Sequence, residues 1–134
     1  MTITYLKNFL SWFSLKPKLD NSNHQPPLVE QGNIFWCHIG ENIGTEISGK
    51  GTKLTRPVVI LKKLSRHTFM VVPLSTKIKE GSWFVNFSHN KVPMVACLHQ
   101  IRTIDYCRLD DKIGKIDSSD MAKIKQQFDS LYQF

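Results

Sequence analysis
A small curled β-sheet or barrel, closed by one helix and preceded by another, is the fold this sequence predicts: α+β, and mainly β. Three observations carry the prediction. Between residues 31 and 116 the apolar residues come in short runs rich in Val, Ile and aromatics, separated by polar or Gly-containing turns. Only two stretches, one near each end, space their apolar residues at helical intervals of three and four. At 134 residues and 41% hydrophobic the chain is large enough for one core, and no internal repeat suggests a second.

The elements follow in order. Residues 3–16 set Leu6, Phe9, Leu10 and Phe13 on one helical face, and Pro17 is expected to end that helix. Residues 18–28, with Asp20, Asn21, Ser22, Asn23, Pro26 and Pro27, read as a polar linker. Residues 1–30 are therefore an amphipathic helix plus linker, and 31–134 the main domain. The helix is expected to dock on that domain or on a second copy. Membrane-surface attachment is the alternative, disfavoured because only Lys7, Lys16 and Lys18 are basic in this stretch. Strands are expected at 33–39, 56–61, 68–74, 83–87, 92–98, 100–104 and 112–116. Residues 40–54, with glycines at 40, 44, 49 and 51, form a long loop. Ser118 or Ser119 caps a final helix whose Met121, Ile124, Phe128 and Leu131 share a face.

A balance of 18 Lys+Arg against 11 Asp+Glu leaves a net charge of +7, which favours a polyanionic partner, nucleic acid or an acidic polypeptide. Cys37, Cys97 and Cys107 lie in or beside apolar runs and read as reduced core residues. They lack metal-ligand spacing, so no metal and no cofactor are expected. No apolar run reaches membrane-spanning length and no signal peptide is recognisable, which gives a cytoplasmic expectation.

Two charged segments stand out. In 98–114 arginines and aspartates interleave with apolar residues, as in a buried strand that ends in a charged segment. Upstream, Arg56 stands at the mouth of the apolar run Pro57-Val58-Val59-Ile60-Leu61. A guanidinium fixed there is suited to hold phosphate through two parallel hydrogen bonds.

Three blocks in order, Arg56-Pro57-Val58-Val59-Ile60, Val71-Val72-Pro73-Leu74-Ser75-Thr76-Lys77 and Gln100-Ile101-Arg102-Thr103-Ile104-Asp105, with Arg108-Leu109 and Lys112-Ile113-Gly114 after them, resemble the MazF/PemK family of toxin endoribonucleases. The Gly-rich segment from Gly40 to Glu46 is similar to that family's first loop, and the resemblance covers about residues 31–134. It implies an SH3-like barrel of the MazF/CcdB type with a C-terminal helix, acting as a homodimer. It further implies metal-independent cleavage of single-stranded RNA by 2′-hydroxyl attack, and neutralisation by a cognate antitoxin, for which an acidic, partly disordered peptide would suit the basic body.

Such cleavage needs a cation on the phosphorane, a base for the 2′-hydroxyl and an acid for the leaving oxygen. Arg56 matches the family's catalytic arginine and is assigned to transition-state charge. Ser75 and Thr76 match its hydroxyl pair and would orient the phosphate; the structural alternative is a rim ion pair with turn hydroxyls. His99 stands near where some members carry an acidic residue. It is either the proton-transfer group or a polar strand-end residue. Gln100 and Arg102 match the family block, as RNA contacts or as internal hydrogen bonders that hold strand, loop and dimer together. Glu46, Lys50, Lys53, Lys77 and Lys79 complete the expected RNA-binding set, and Lys62 and Lys63 are expected to flank the same groove. Trp36, Trp83 and Phe84 are either base-stacking surfaces or core aromatics. His38 is read as a packing or surface residue, and His24, His67 and His89 as linker or turn residues. The 44–56 loop is longer than in compact members, and the N-terminal helix resembles an extension in a longer-looped subgroup. The rival functions are a CcdB-like gyrase-binding toxin and a catalytically silent RNA-binding module.

Overall fold
The computed structural model describes residues 7–22 and 25–133. Helix α1 (Phe9–Asp20) comes first. Strands β1 (Asn33–His38), β2 (Thr55–Lys63), β3 (Thr68–Ser75), β4 (Phe84–His89), β5 (Val92–Cys97), β6 (Arg102–Asp105) and β7 (Leu109–Lys115) follow, and helix α2 (Ser118–Leu131) ends the chain. Short 3-10 turns at Leu98–Gln100 and Tyr106–Arg108 flank β6.

The strands pair in the order β4-β5-β3-β2-β1-β7, and β6 joins β3 off this path. The pairings are antiparallel. The start of β3 (Thr68 to Val71) pairs with β6, while Leu74 and Ser75 at its end pair with β5. One edge of β3 thus serves two partners while β2 holds the other, and the sheet curls over itself at that point.

Both faces of the central strands are covered, which explains why they read as unbroken apolar runs rather than as alternation. Val59, Leu61, Val72 and Leu74 enter one core with Ile34, Leu98, and Met121 and Ile124 of α2. Val58, Ile60, Phe69 and Val71 enter the other with Phe35, Ile39 and Ile104. Phe69 is fully buried. Phe69→Ala should cost about 3–5 kcal/mol, because the surrounding strands cannot collapse onto the cavity. Urea denaturation checks this value.

The predicted closing-helix face is present: Met121 and Ile124 are buried, and Phe128 and Leu131 pack against the same core. The helix is capped by Asp117 rather than Ser118 or Ser119, with no side-chain cap hydrogen bond.

Two further expectations are corrected. The segment 98–114 holds the two strands expected in it, but its charges are not gathered at the end of one buried strand. β6 pairs with β3 and β7 pairs with β1, on opposite borders of the β3-β2-β1 unit. A single straight strand cannot serve both, so the Tyr106–Arg108 turn makes the crossing, with Asp105 accepting a hydrogen bond from the Cys107 amide at 2.9 Å.

Helix α1 also differs from expectation, since it runs through Pro17 to Asp20. Proline removes the hydrogen bond to the Phe13 carbonyl. Both Pro17 and Phe13 are exposed, so the freed carbonyl faces water. The inward face is Trp12, Leu15 and Leu19, with Trp12 at 8% exposure, whereas Leu10 and Phe13 are 85% and 78% exposed. The helix is apolar on two sides, and its period alone did not reveal which side docks. Leu6 lies outside the described residues.

Candidate active site
Arg56 is the second residue of β2 and sits opposite Cys37 of β1. Its Nε donates to the Ser48 carbonyl at 2.9 Å and its Nη1 to the Leu74 carbonyl at 3.3 Å, so the fork is held between the 39–54 loop and the end of β3. Burial pulls the guanidinium below its ordinary value, opposed by the Cys97 thiol. An arginine starts high enough to keep its charge at neutral pH. The guanidinium opens onto a cleft of about 330 Å³ lined by Trp36, Lys50, Thr55, Leu74 and Thr76. Trp36 is 42% exposed there.

Of the two hydroxyls expected near Arg56, Thr76 shares this cleft. Ser75 is buried, and its Oγ accepts the Lys77 amide at 3.2 Å, which shapes the turn leaving β3.

His99 is carried on the Leu98–Gln100 turn, which is held from two sides. The Leu98 amide donates to the Trp83 carbonyl at 2.8 Å, and the Tyr132 hydroxyl of α2's end donates to the Leu98 carbonyl at 2.5 Å. The imidazole lies edge-on to Phe84, with ring centres 5.2 Å apart, and tilted over Trp83 at 5.9 Å. Partial desolvation, helped by the nearby Lys79 charge, lowers its pKa below the usual histidine value. The ring is thereby biased toward the neutral, proton-accepting form. Lys79 itself sits 5.6 Å above the Phe84 ring.

The basic residues divide into two groups. Lys50 has a pKa lowered by its own desolvation and by the charges of Arg56, Lys77 and Lys79. Cys97, at the end of β5, is raised by burial and lowered in part by Lys79 and Arg56. Lys50 is thus a neighbour of Arg56, Lys77 and Lys79, and His99 a neighbour of Lys79, while Arg56 and His99 line separate depressions. Lys53 is exposed on the same loop. Lys62 and Lys63 do not flank this groove. They pair with Met70 and Phe69 at the far end of β2, about 20 Å from Arg56 at ~3.3 Å per strand residue.

Gln100 and Arg102 are engaged inside the fold. The Gln100 Oε1 accepts the Ile47 amide at 3.0 Å, and its Nε2 donates to the Thr45 carbonyl at 2.9 Å, so one side chain brackets three loop residues. Arg102 Nη1 donates to the Ile39 carbonyl at 3.4 Å. Glu46 is exposed and accepts the Ile43 amide at 3.0 Å. It lines, with His99, Gln100 and Arg102, a second depression of about 590 Å³. His38 is buried, as a packing residue would be, with its Nδ1 against the Lys53 carbonyl at 2.9 Å. Cys37 is pushed up to about 12 by burial, against the charges of Arg108 and Arg102. Among the described residues no group of three or more His, Cys, Asp or Glu side chains is brought together as a metal site would need.

Sequence reasoning missed Ser48, which aims Arg56, and Arg108, which donates to the His38 carbonyl at 3.0 Å. A backbone carbonyl leaves no signature in a sequence. Arg108 was visible as a charge in the 98–114 segment but had no partner assigned.

A family described as "PemK-like, MazF-like toxin of type II toxin-antitoxin system" matches residues 30–132. The chain belongs to this toxin family. The toxin fold is also that of a MazF from Deinococcus radiodurans: TM-score 0.66 at 17% identity, over 78% of this chain and 96% of that one. The same organism's MazE–MazF complex gives TM-score 0.61 at 16% identity, over 78% and 95%. A mycobacterial endoribonuclease solved with its cognate antitoxin gives TM-score 0.58 at 17% identity, over 77% and 93%. Comparison with curated proteins finds no significant relative. In the toxin, no helix among the described residues is long and apolar enough to cross a membrane.

Proposed function
We propose that this toxin is an endoribonuclease that cleaves single-stranded RNA without a metal ion, by attack of a 2′-hydroxyl on the adjacent phosphate. The observation that carries the reading is a half-buried arginine, anchored by two backbone carbonyls, in a cleft it shares with Lys50 and Thr76; the nearby Lys79 charge, which also bears on His99, supports it. Arg56 meets the charge that grows on the phosphorane oxygens. Thr76 orients the phosphate from the shared cleft, and Ser75 fixes the turn that presents Thr76. Neutral His99 accepts the 2′-hydroxyl proton as the 2′-oxygen bonds to phosphorus. The bond from phosphorus to the 5′-oxygen breaks, and that oxygen takes a proton from the solvent at this open site. The products are a 2′,3′-cyclic phosphate and a 5′-hydroxyl.

Lys50, Lys53, Lys77 and Lys79 hold the flanking phosphates, while Gln100 and Arg102 act by keeping the loop and the end of β1 in place. Each lysine that neutralises a phosphate contributes roughly −0.7 to the slope of log affinity against log salt for single strands. Replacing Lys50 and Lys79 together should therefore flatten that slope by about 1.4. Fluorescence anisotropy with labelled RNA at several salt concentrations measures it.

Two solved relatives of the fold are complexes with antitoxins. The net +7 charge supports an acidic antitoxin that orders on binding and covers this cleft. Family membership supports a homodimeric, cytoplasmic toxin. The test of the activity is Arg56→Ala. Loss of cleavage with retained fold supports the enzyme, and unchanged cleavage removes Arg56 from the mechanism.

A further inference from the structure
We propose that the N-terminal helix braces the 39–54 loop and through it positions Arg56. The effect on rate rests on the ribonuclease reading above; the effect on the loop rests on contacts alone. Three contacts run from the start of the helix to the start of the loop. Lys7 Nζ donates to the Asn42 carbonyl at 2.7 Å and to the Gly44 carbonyl at 3.3 Å. The Asn8 amide donates to Glu41 Oε2 at 3.1 Å. Trp12 lies so close to Gly40 that a Cβ there would stand 2.3 Å from Cε2 of the indole, and Gly40 has φ +87°, so only glycine suits both backbone and neighbour. On its other side Trp12 is held by Arg108, whose guanidinium carbon lies 5.5 Å from the ring centre.

The braced residues lead to the site in two steps. Asn42 donates through its amide N–H to Ser48 Oγ at 2.8 Å, and through Nδ2 to the Ile47 carbonyl at 2.8 Å. The Gly49 amide donates to the Gly40 carbonyl at 2.8 Å, which closes the ring. Ser48 then offers its carbonyl to Arg56 Nε at 2.9 Å. A long, Gly-containing loop loses much entropy on ordering and needs contacts from outside to stay in one conformation. Gln100 supplies them at Thr45 and Ile47, and the helix supplies them at the other end, Gly40 to Gly44. Trp12 and Lys7 are therefore positioning residues; they act on Arg56 only through the loop.

The experiment compares Trp12→Ala and Lys7→Met with Leu10→Ala, an exposed change on the same helix. Lys7→Met removes two hydrogen bonds, one partly buried and one exposed, and no core volume, so it stays informative if Trp12→Ala fails to fold. Two readouts are taken: tryptic cleavage of the native protein after Lys50 and Lys53, and the kcat and KM for RNA cleavage. Both brace variants should be cut several-fold faster in the loop. Their kcat should fall by up to about 10²-fold, the cost of misplacing a catalytic group by ~1 Å, with a smaller change in KM. In an Arg56→Ala background they should lower the residual rate no further, because the coupled group is already gone. Leu10→Ala should change neither readout. Unaltered loop cleavage in both brace variants overturns the brace. Faster loop cleavage with unaltered kcat overturns the link to Arg56. A wild-type protein that cuts no RNA overturns the ribonuclease reading instead, and the tryptic readout then decides the brace by itself.

Discussion

Arg56→Ala should lower the single-turnover rate of RNA cleavage by about 10²–10³-fold, the loss typical of removing one preorganised donor to a developing oxyanion. The guanidinium enters the reaction already oriented, with Nε spent on Ser48 and one Nη1 hydrogen bond spent on Leu74. The remaining N–H groups are available to the phosphate without reorganisation. RNA affinity should change far less than the rate, because Lys50, Lys77 and Lys79 carry the bulk of the local positive charge. Arg56→Lys is the sharper variant. It keeps the charge but cannot reach two carbonyls and a phosphate with a planar fork, so it should recover little of the rate. Its thermal midpoint should differ little from that of the wild type, since Arg56 is only half-buried and stands at a strand end. Rapid-quench kinetics with a short labelled RNA gives the rate, and anisotropy gives the affinity.

The second large effect concerns pH. His99 is exposed at the surface beside Trp83 and Phe84, and partial desolvation together with the Lys79 charge lowers its pKa from the usual value. A general base works in its unprotonated form. Activity should therefore be full above the ordinary histidine range and fall only as pH drops through a midpoint below about 6.5. Lys79→Met removes the neighbouring charge, so the midpoint should move up toward the ordinary value. A shift in the opposite direction would contradict the assignment. His99→Gln should cost about 10²–10⁴-fold in rate and abolish this acidic limb, because no base then titrates there. If the limb survives the substitution, His99 is not the group being titrated. A kcat/KM profile from pH 4.5 to 8.5 reads both variants.

Most of the barrel was legible in the sequence, because its signals are local. The runs at Val58 to Leu61 and Val71 to Leu74 are apolar on both faces, and the Met121, Ile124, Phe128, Leu131 period fixes the closing helix. The signal failed where a local pattern admits two answers. Helix α1 carries Leu10 and Phe13 on one side and Trp12, Leu15 and Leu19 on another, and the choice between them is made by the close approach of Trp12 to Gly40. Pro17 failed as a stop signal for the related reason that its side of the helix faces water.

The candidate site was legible in parts. Arg56, Thr76 and His99 were each visible as residues; Arg56 and Thr76 line one cleft, and His99 lines a separate depression with Glu46, Gln100 and Arg102. The sequence did not show what holds them there: a serine carbonyl under Arg56, an amide bracketing Thr45 and Ile47, and a turn suspended between Trp83 and Tyr132. Each of these contacts has a backbone group as at least one partner, and backbone groups are the same in every residue. Lys62 and Lys63 were misplaced because composition records how many charges a strand has and not which end of it faces the site.

The central claim is a metal-independent ribonuclease, and it is tested most directly by incubating the purified, antitoxin-free toxin with a long single-stranded RNA in EDTA and mapping the ends. Discrete cuts that leave 2′,3′-cyclic phosphate and 5′-hydroxyl termini, lost in Arg56→Ala, are the predicted result. No cleavage by a folded sample, or cleavage that requires added metal and leaves 5′-phosphate ends, would contradict it.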